Sequence, residues 1–186
     1  GKINGFSADF YSNGGAYLDL SPAILQRTLL HAENSYFIPN VSLSGRICKT
    51  NTAPNTAFRG FGGPQGSAVI ENIMEEISLK LNIDSLEIRK KNLYGLGKDN
   101  TTPYGQEVQN NMLPEIFSRL SKSSDYIKRS KEIKEQNLIY SRYIKGISLT
   151  PVKFGISFTN KILNQGSALV NVHLDGTIQV STGATE

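Results

Sequence analysis

The stretch from Asn55 to Gly66 has the sequence NTAFRGFGGPQG. Arg59 stands between two phenylalanines, and a helix-compatible run follows at once. Its guanidinium offers a planar cation with several donors, and Phe61 offers a flat apolar face at the same place. The stretch also holds glycines that permit positive φ and a close approach to the backbone, namely Gly60, Gly62 and Gly63.

The residues of this loop leave two interpretations open. Backbone amides in a glycine-rich loop before a helix suit an anion, so with Arg59 and Phe61 they indicate a pocket for an anion beside a planar group. The alternative is a structural turn in which Arg59 pairs with a carboxylate. The glycine spacing matches neither the P-loop nor the dinucleotide-binding motif, which disfavours a standard nucleotide site.

The segments before the loop predict strands and a helix. Rough alternation predicts a strand over residues 2–12, and a second short strand is predicted within 40–51. Ser21, followed by a proline, predicts a helix that the serine hydroxyl caps and that runs to about His31. Arg27 lies four residues before His31 and therefore shares one face of this helix with it.

The segments after the loop predict further helices. Asp84 with Glu87 resembles a capping box, which starts a helix through about Leu93. Two more helices are predicted, one opened by Pro114 and one over residues 125–136. Directly after the loop, apolar residues recur at steps of three and four and predict one buried helical stripe, made of Ile70, Ile73, Ile77 and Leu81.

The C-terminal part of the sequence changes character. Strands are predicted from about Ile144, and two alternating runs joined by Asp175 and Gly176 predict a β-hairpin. The predicted fold class is therefore α+β. A helix-rich first part is expected over residues 1–140, and the hairpin-rich start of a second part over residues 141–186.

Composition restricts the possible partners. The net charge of +4, from 20 basic and 16 acidic residues, is a mild excess, and we expect no nucleic-acid partner. No run approaches the ~20 apolar residues that a membrane span requires, so no membrane partner is expected. A single cysteine, Cys48, fits a reducing compartment and predicts a cytoplasmic location.

Four segments, in order, resemble the molybdenum-cofactor subunit of the xanthine dehydrogenase and aldehyde oxidase family. They are SNGGAYLDLSPAILQRTLLHAEN, GRICKTNTAPNTAFRGFGGPQG, IRKKNLY and KFGISFTNKILNQGSALVNVHLDGTIQVSTGATE. The resemblance covers nearly the whole chain. It implies an internal fragment of the molybdopterin-binding region, with residues 1–140 ending the first binding domain and 141–186 beginning the second, truncated one.

The resemblance implies a role for each site residue. Arg27 would bind a purine and act catalytically, by stabilising negative charge on the ring. Phe61 and Phe158 would contact the two sides of the flat substrate, and Thr159 would also contact it. Arg59 would lie near the molybdenum without being a classical ligand, and His31 would be a packing residue. The cofactor-binding set would be Arg59, Gly60, Phe61, Gly62 and Gly63, and the run from Gly183 to Glu186 would begin a pterin contact.

The implied activity is that of a molybdenum hydroxylase acting on hypoxanthine or xanthine. Electrons would pass through Fe–S clusters and FAD, on partner domains or subunits, to NAD or another acceptor. The remaining molybdopterin-binding segments would share the cofactor, so these residues alone are expected to be inactive. The alternatives are a relative acting on nicotinate, another azaheterocycle or an aldehyde, a non-catalytic binding module, and a binder of acidic ligands or nucleic acid.

Overall fold

A computed structural model describes residues 1–139 and 142–183. The chain divides into two compact units, Gly1–Phe154 and Gly155–Glu186. Five helices and four strands are present in the described part, which confirms the α+β class. None of the helices in this part is both long and apolar enough to cross a membrane. The division into domains at residues 140 and 141 remains a prediction.

The first unit begins with a β–α–β arrangement. Strand β1 spans Phe6–Gly15, helix α1 spans Ser21–Leu30 and strand β2 spans Val41–Lys49. The two strands pair in parallel, an arrangement that needs a crossover such as α1. Helix α1 packs on β2 where Gly45 lacks a side chain, since a Cβ there would lie 3.0 Å from Leu25.

The predicted cap of α1 is wrong in detail. Leu20 occupies the N-cap position and no side chain caps the helix, while Ser21 is the first helical residue. The Ser21 hydroxyl instead donates to the carbonyl of Asn55 at 3.0 Å. The hydroxyl therefore ties the start of α1 to the glycine-rich loop.

Helix α2, Gly63–Leu81, supplies the centre of the first core. Ile70 is fully buried, and Ile73 and Ile77 pack around the core as predicted. Leu81, the last residue of α2, is 48 % exposed, whereas Met74, which was not in the predicted stripe, is fully buried. The buried residues of this core are Tyr36, Ile38, Ile70, Met74 and Ile88.

Three more helices complete the first unit. They are α3 at Ser85–Asn92, α4 at Leu113–Ser123 and α5 at Tyr126–Leu138, close to the predicted spans. Asp84 caps α3 as predicted, since its carboxylate accepts from the amide of Leu86 at 2.9 Å. Their packing forms a second core from Leu86, Phe117, Tyr126 and Leu149.

The second unit contains the predicted hairpin. Strands β3, Ala168–Val172, and β4, Ile178–Thr182, pair antiparallel. Gly176 has φ +81°, as the turn requires, and the Asp175 carboxylate accepts from the amide of Thr177 at 2.9 Å. The expectation of strands from about residue 144 is wrong, because no strand occurs among residues 144–167. Within the predicted pterin run, only Gly183 belongs to the described residues.

Candidate functional site

The glycine-rich loop packs on helix α1. The carbonyl of Gly62 accepts from the Thr28 hydroxyl at 3.1 Å, and Gly62 has φ +104°. A Cβ on Gly62 would lie only 2.1 Å from the carbonyl oxygen of Ile24, and one on Gly66 2.4 Å from that of Thr28. These glycines are therefore required by the packing of loop against helix, whatever ligand approaches the loop.

The loop also uses its own backbone donors. The amide of Phe61 donates to Phe58 at 2.8 Å, and the amide of Gly63 donates to Gly60 at 2.9 Å. Pro64, next in the helix, has no N–H to offer. The amides of Phe61 and Gly63 are therefore engaged within the loop, and the exposed guanidinium of Arg59 is a cation placed beside them.

Phe61 has an unusual backbone conformation. Its φ is +50°, in the left-handed region that bulky residues avoid. The other non-glycine residues with positive φ in the described part of the chain are all aspartate or asparagine, at positions 19, 34, 82, 99, 110 and 125. An aromatic residue held in this conformation is typical of a functional constraint rather than of local preference.

Arg27 lies between two aromatic rings. It is 5 % exposed although it carries a charge. Its guanidinium carbon lies 5.9 Å from the ring centre of Phe61 and 5.2 Å from that of Phe154. Burial lowers the pKa of Arg27 from its ordinary value. The structure thus brings together two residues predicted to share a site, Arg27 and Phe61.

His31 and Phe154 complete this cluster. The Nδ1 of His31 lies 2.8 Å from the carbonyl oxygen of Arg27, and because a carbonyl only accepts, Nδ1–H donates. The rings of His31 and Phe154 are 5.0 Å apart and tilted by 45°. A Cβ on Gly63 would lie 2.5 Å from the Phe154 ring. His31 therefore packs beneath the site, in agreement with its expected role.

Phe158 and Thr159 belong to the second unit. Both residues are half-buried. The amide of Phe158 donates to Oδ1 of Asn164 at 2.7 Å, and its carbonyl accepts from Nδ2 of the same residue at 2.8 Å. This pair of bonds fixes the backbone at Phe158. The hydroxyl of Thr159 is buried without a hydrogen-bond partner in the described part of the chain.

A group of polar side chains beside the site was not predicted from the sequence. Glu33 is 1 % exposed and pairs with Nζ of Lys153, while Asn34 is fully buried. Glu33 and Lys153 are 120 positions apart, so no spacing rule joins them. The available signal was the run His31 to Asn34, in which polar residues follow directly on the predicted helix.

Comparison with known proteins identifies the fold. One family model, described as a molybdopterin cofactor-binding domain, matches residues 1–93, and a second with the same description matches residues 119–186. Aldehyde oxidoreductase from Desulfovibrio gigas superposes with a TM-score of 0.68 at 26 % identity, covering 96 % of this chain and 19 % of that one. The enzyme from Desulfovibrio desulfuricans gives 0.71 at 27 % identity, covering 97 % and 19 %.

Sequence relatives agree with these matches. Xanthine dehydrogenase from Dictyostelium discoideum is 46 % identical over 187 residues, and nicotinate hydroxylase from Emericella nidulans is 44 % identical over 188. Each alignment covers 100 % of this chain, which spans 14 % of the relative's length.

The fold and the matched models define the class of the chain, which is that of the molybdopterin cofactor-binding domains. The chain belongs to the molybdopterin cofactor-binding domain family, as the sequence motifs predicted.

Proposed function

We propose that this chain forms the substrate-facing part of a molybdenum hydroxylase that acts on a purine such as hypoxanthine or xanthine. The observation that supports it best is the buried guanidinium of Arg27 beside the rings of Phe61 and Phe154. A cation flanked by flat apolar faces suits a planar heterocycle on which negative charge develops. The matched family is described as a molybdopterin cofactor-binding domain, and hydroxylation of a heterocycle needs such a cofactor.

The residues of the loop fit a molybdopterin cofactor. The planar guanidinium of Arg59 is exposed beside the rigid backbone of Gly60 to Gly63, and it suits the anionic groups of such a cofactor. Arg59 and this backbone would hold the cofactor, and Arg59 would lie near the molybdenum without ligating it. When bound, the cofactor supplies the oxidising chemistry that hydroxylates the ring.

The protein side chains bind, orient and polarise the substrate. Arg27 stabilises charge on the ring, and one such well-placed donor typically contributes ~3–4 kcal/mol. Phe61 and Phe158 contact the flat substrate, and each aromatic contact contributes ~1 kcal/mol, so that their effect is mainly orientation. Thr159 gives a further hydrogen bond through its buried hydroxyl.

The substrate class rests on Arg27 rather than on the names of relatives. A xanthine dehydrogenase and a nicotinate hydroxylase are almost equally similar to this chain. Aldehydes develop no charge on a ring nitrogen, so a buried arginine gives them less benefit than it gives a purine. The second candidate function is therefore hydroxylation of nicotinate or another azaheterocycle, and an aldehyde is a more distant alternative.

The complete protein requires further parts. We propose that the other molybdopterin-binding segments share the cofactor, and that Fe–S and FAD domains or subunits pass electrons to NAD or another acceptor. The chain covers 14 % of the length of the relatives described above, which is consistent with that arrangement. The isolated 186-residue chain is expected to be inactive. The complete protein is expected to work in the cytoplasm.

The test uses the complete enzyme, purified with its partner subunits and assayed for molybdenum content. Reduction of an artificial electron acceptor is followed with xanthine, nicotinate and benzaldehyde. We expect xanthine to give the highest kcat/KM. A higher kcat/KM for nicotinate or benzaldehyde would overturn the assignment of a purine substrate but not the assignment as a hydroxylase. Molybdenum-loaded enzyme that oxidises none of the three would overturn the proposed function.

A further inference from the structure

Residues 149–154, here called the strap, run across the first unit without forming a helix or strand. Leu149, at one end, is buried in the second core. Phe154, at the other end, lies against Arg27 and His31. The strap therefore connects the packing of α3, α4 and α5 to the candidate site on α1.

Asn34 holds the backbone of the strap. Its Nδ2 donates to the carbonyl of Pro151 at 2.9 Å, and its Oδ1 accepts from the amide of Lys153 at 3.1 Å. Asn34 is fully buried and has φ +48°, which asparagine tolerates better than most residues. One side chain thus replaces the two hydrogen bonds that a neighbouring strand would give.

A partly buried ion pair between Lys153 and Glu33 also holds the strap. Nζ of Lys153 donates to Glu33, whose other contact is the hydroxyl of Tyr94 at 3.3 Å. The same ammonium donates to the hydroxyl of Tyr104 at 3.0 Å and lies within 5.4 Å of both tyrosine ring centres. The Glu33 carboxylate is 1 % exposed, so leaving it without its ammonium partner would be costly, and this favours one position of Lys153.

Phe154 follows directly on this fixed residue. Its ring is 46 % exposed, so burial alone holds it weakly. The ring nevertheless covers Arg27, which is 5 % exposed. Besides the contacts of the ring with His31 and Gly63, its position depends on the backbone on its N-terminal side, which Asn34 and the Glu33–Lys153 pair hold.

We propose that Glu33, Asn34 and Lys153 are positioning residues that hold Phe154 over the guanidinium of Arg27 and so set the direction in which Arg27 meets the substrate. None of the three contacts the Arg27 side chain in the described contacts; they act through the strap. This inference rests on the proposed function for its effect on turnover, and it adds Phe154 as a third aromatic side chain of the site.

The test compares Lys153→Met with the wild type in the complete enzyme. Lys145→Met is the matched control, since Lys145 is an exposed lysine bonded to Gln136 at 3.0 Å. We expect Lys153→Met to lower kcat for xanthine at least tenfold, and Lys145→Met to leave it unchanged. In the Arg27→Met background, Lys153→Met should change kcat less than twofold, because the strap acts through Arg27.

A second readout does not depend on turnover. Phenylglyoxal labels accessible arginines, and mass spectrometry gives the labelling rate of Arg27 relative to the exposed Arg46. We expect the relative rate to rise severalfold in Lys153→Met, in which the Phe154 ring is still present. Phe154→Leu, which removes the ring itself, should do the same, and if Lys153→Met fails to fold it still tests whether the ring covers Arg27.

The outcomes separate the two proposals. Unchanged labelling in Lys153→Met would overturn the strap as a holder of Phe154, and unchanged labelling in Phe154→Leu would overturn the covering of Arg27 by the ring. Raised labelling with unchanged kcat would overturn its role in turnover. If the wild type oxidises none of the ring substrates, the proposed function fails and with it the role in turnover, while the labelling still decides whether the strap holds Phe154 over Arg27.

Discussion

Gly62 and Gly97 both have positive φ, at +104° and +75°, but differ in what a side chain would meet. A Cβ on Gly62 would lie 2.1 Å from the backbone oxygen of Ile24, whereas one on Gly97 would meet nothing within 4 Å. The two positions therefore separate two requirements: both need a positive φ, but only Gly62 also needs the space beside its backbone to stay empty.

This difference gives a matched pair of substitutions. Gly97→Ala should cost ~1–2 kcal/mol, the ordinary penalty of the left-handed region. Gly62→Ala should cost at least ~2 kcal/mol more, because the loop must also move away from α1. Urea unfolding of the 186-residue chain measures both. Equal losses would show that the loop does not pack on α1 as described.

His31 links folding stability to pH. Burial disfavours the charged ring and lowers the pKa of His31 below its ordinary 6.5. Well above pH 6.5, His31 is neutral in both the folded and the unfolded chain. Below pH 6.5, His31 of the unfolded chain binds a proton, whereas His31 of the folded chain stays neutral until the pH reaches its lower pKa. The contribution of neutral His31 to folding stability is therefore fully present above pH 6.5, and it is lost as the pH falls towards the pKa of His31 in the folded chain.

The pH effect is measured as the change in urea midpoint between about pH 7.5 and about pH 5.5. His31→Asn, whose Nδ2 can donate to Arg27 in place of Nδ1, should show a smaller change than the wild type. His173→Asn removes the other histidine, which is exposed in the hairpin unit, and should leave the change intact. A wild-type response in His31→Asn would contradict the account.

At the scale of elements, local chemistry predicted most helices well. Proline near the start and periodic apolar residues located α2 and α4, and the aspartate–glycine turn located the β3–β4 hairpin, because these signals act within a few residues. The segment over residues 144–167 was assigned to strands incorrectly. Its apolar residues and lack of helix signals resemble a strand, but in the first unit its hydrogen bonds go to Asn34 rather than to a ladder.

The start of α3 tests the value of such local signals. Asp84→Ala should cost ~1 kcal/mol, because the amide of Leu86 loses its cap. Glu87, the second half of the predicted capping box, bonds instead to Lys90 at 3.0 Å on the surface. Glu87→Ala should therefore cost less than ~0.5 kcal/mol. Thermal or urea unfolding measures both changes in the free energy of unfolding. A larger loss for Glu87→Ala would show that Glu87 takes part in the cap of α3.

At the scale of the whole molecule, the sequence indicated only part of the site. Arg27 and Phe61 were predicted from motifs that belong to one family, and α1 and the loop do bring them together. Phe154 and the Glu33–Lys153 pair were not predicted. They depend on contacts between residues about 120 positions apart, which a single sequence does not encode in any local pattern. Buried polar pairs of this kind follow only from the assembled fold.

The central claim is that the buried Arg27 stabilises charge on a ring substrate. The most direct measurement is kcat for xanthine in the complete enzyme carrying Arg27→Met. Arg46→Met is the control, since Arg46 also lies over an aromatic ring, Tyr11 at 5.8 Å, but is itself exposed.

We predict that Arg27→Met lowers kcat by ~10²–10³, the usual loss for one transition-state donor, with molybdenum content preserved. Arg46→Met should keep the wild-type rate. An unchanged kcat in Arg27→Met, in enzyme that oxidises xanthine and holds its molybdenum, would contradict the account.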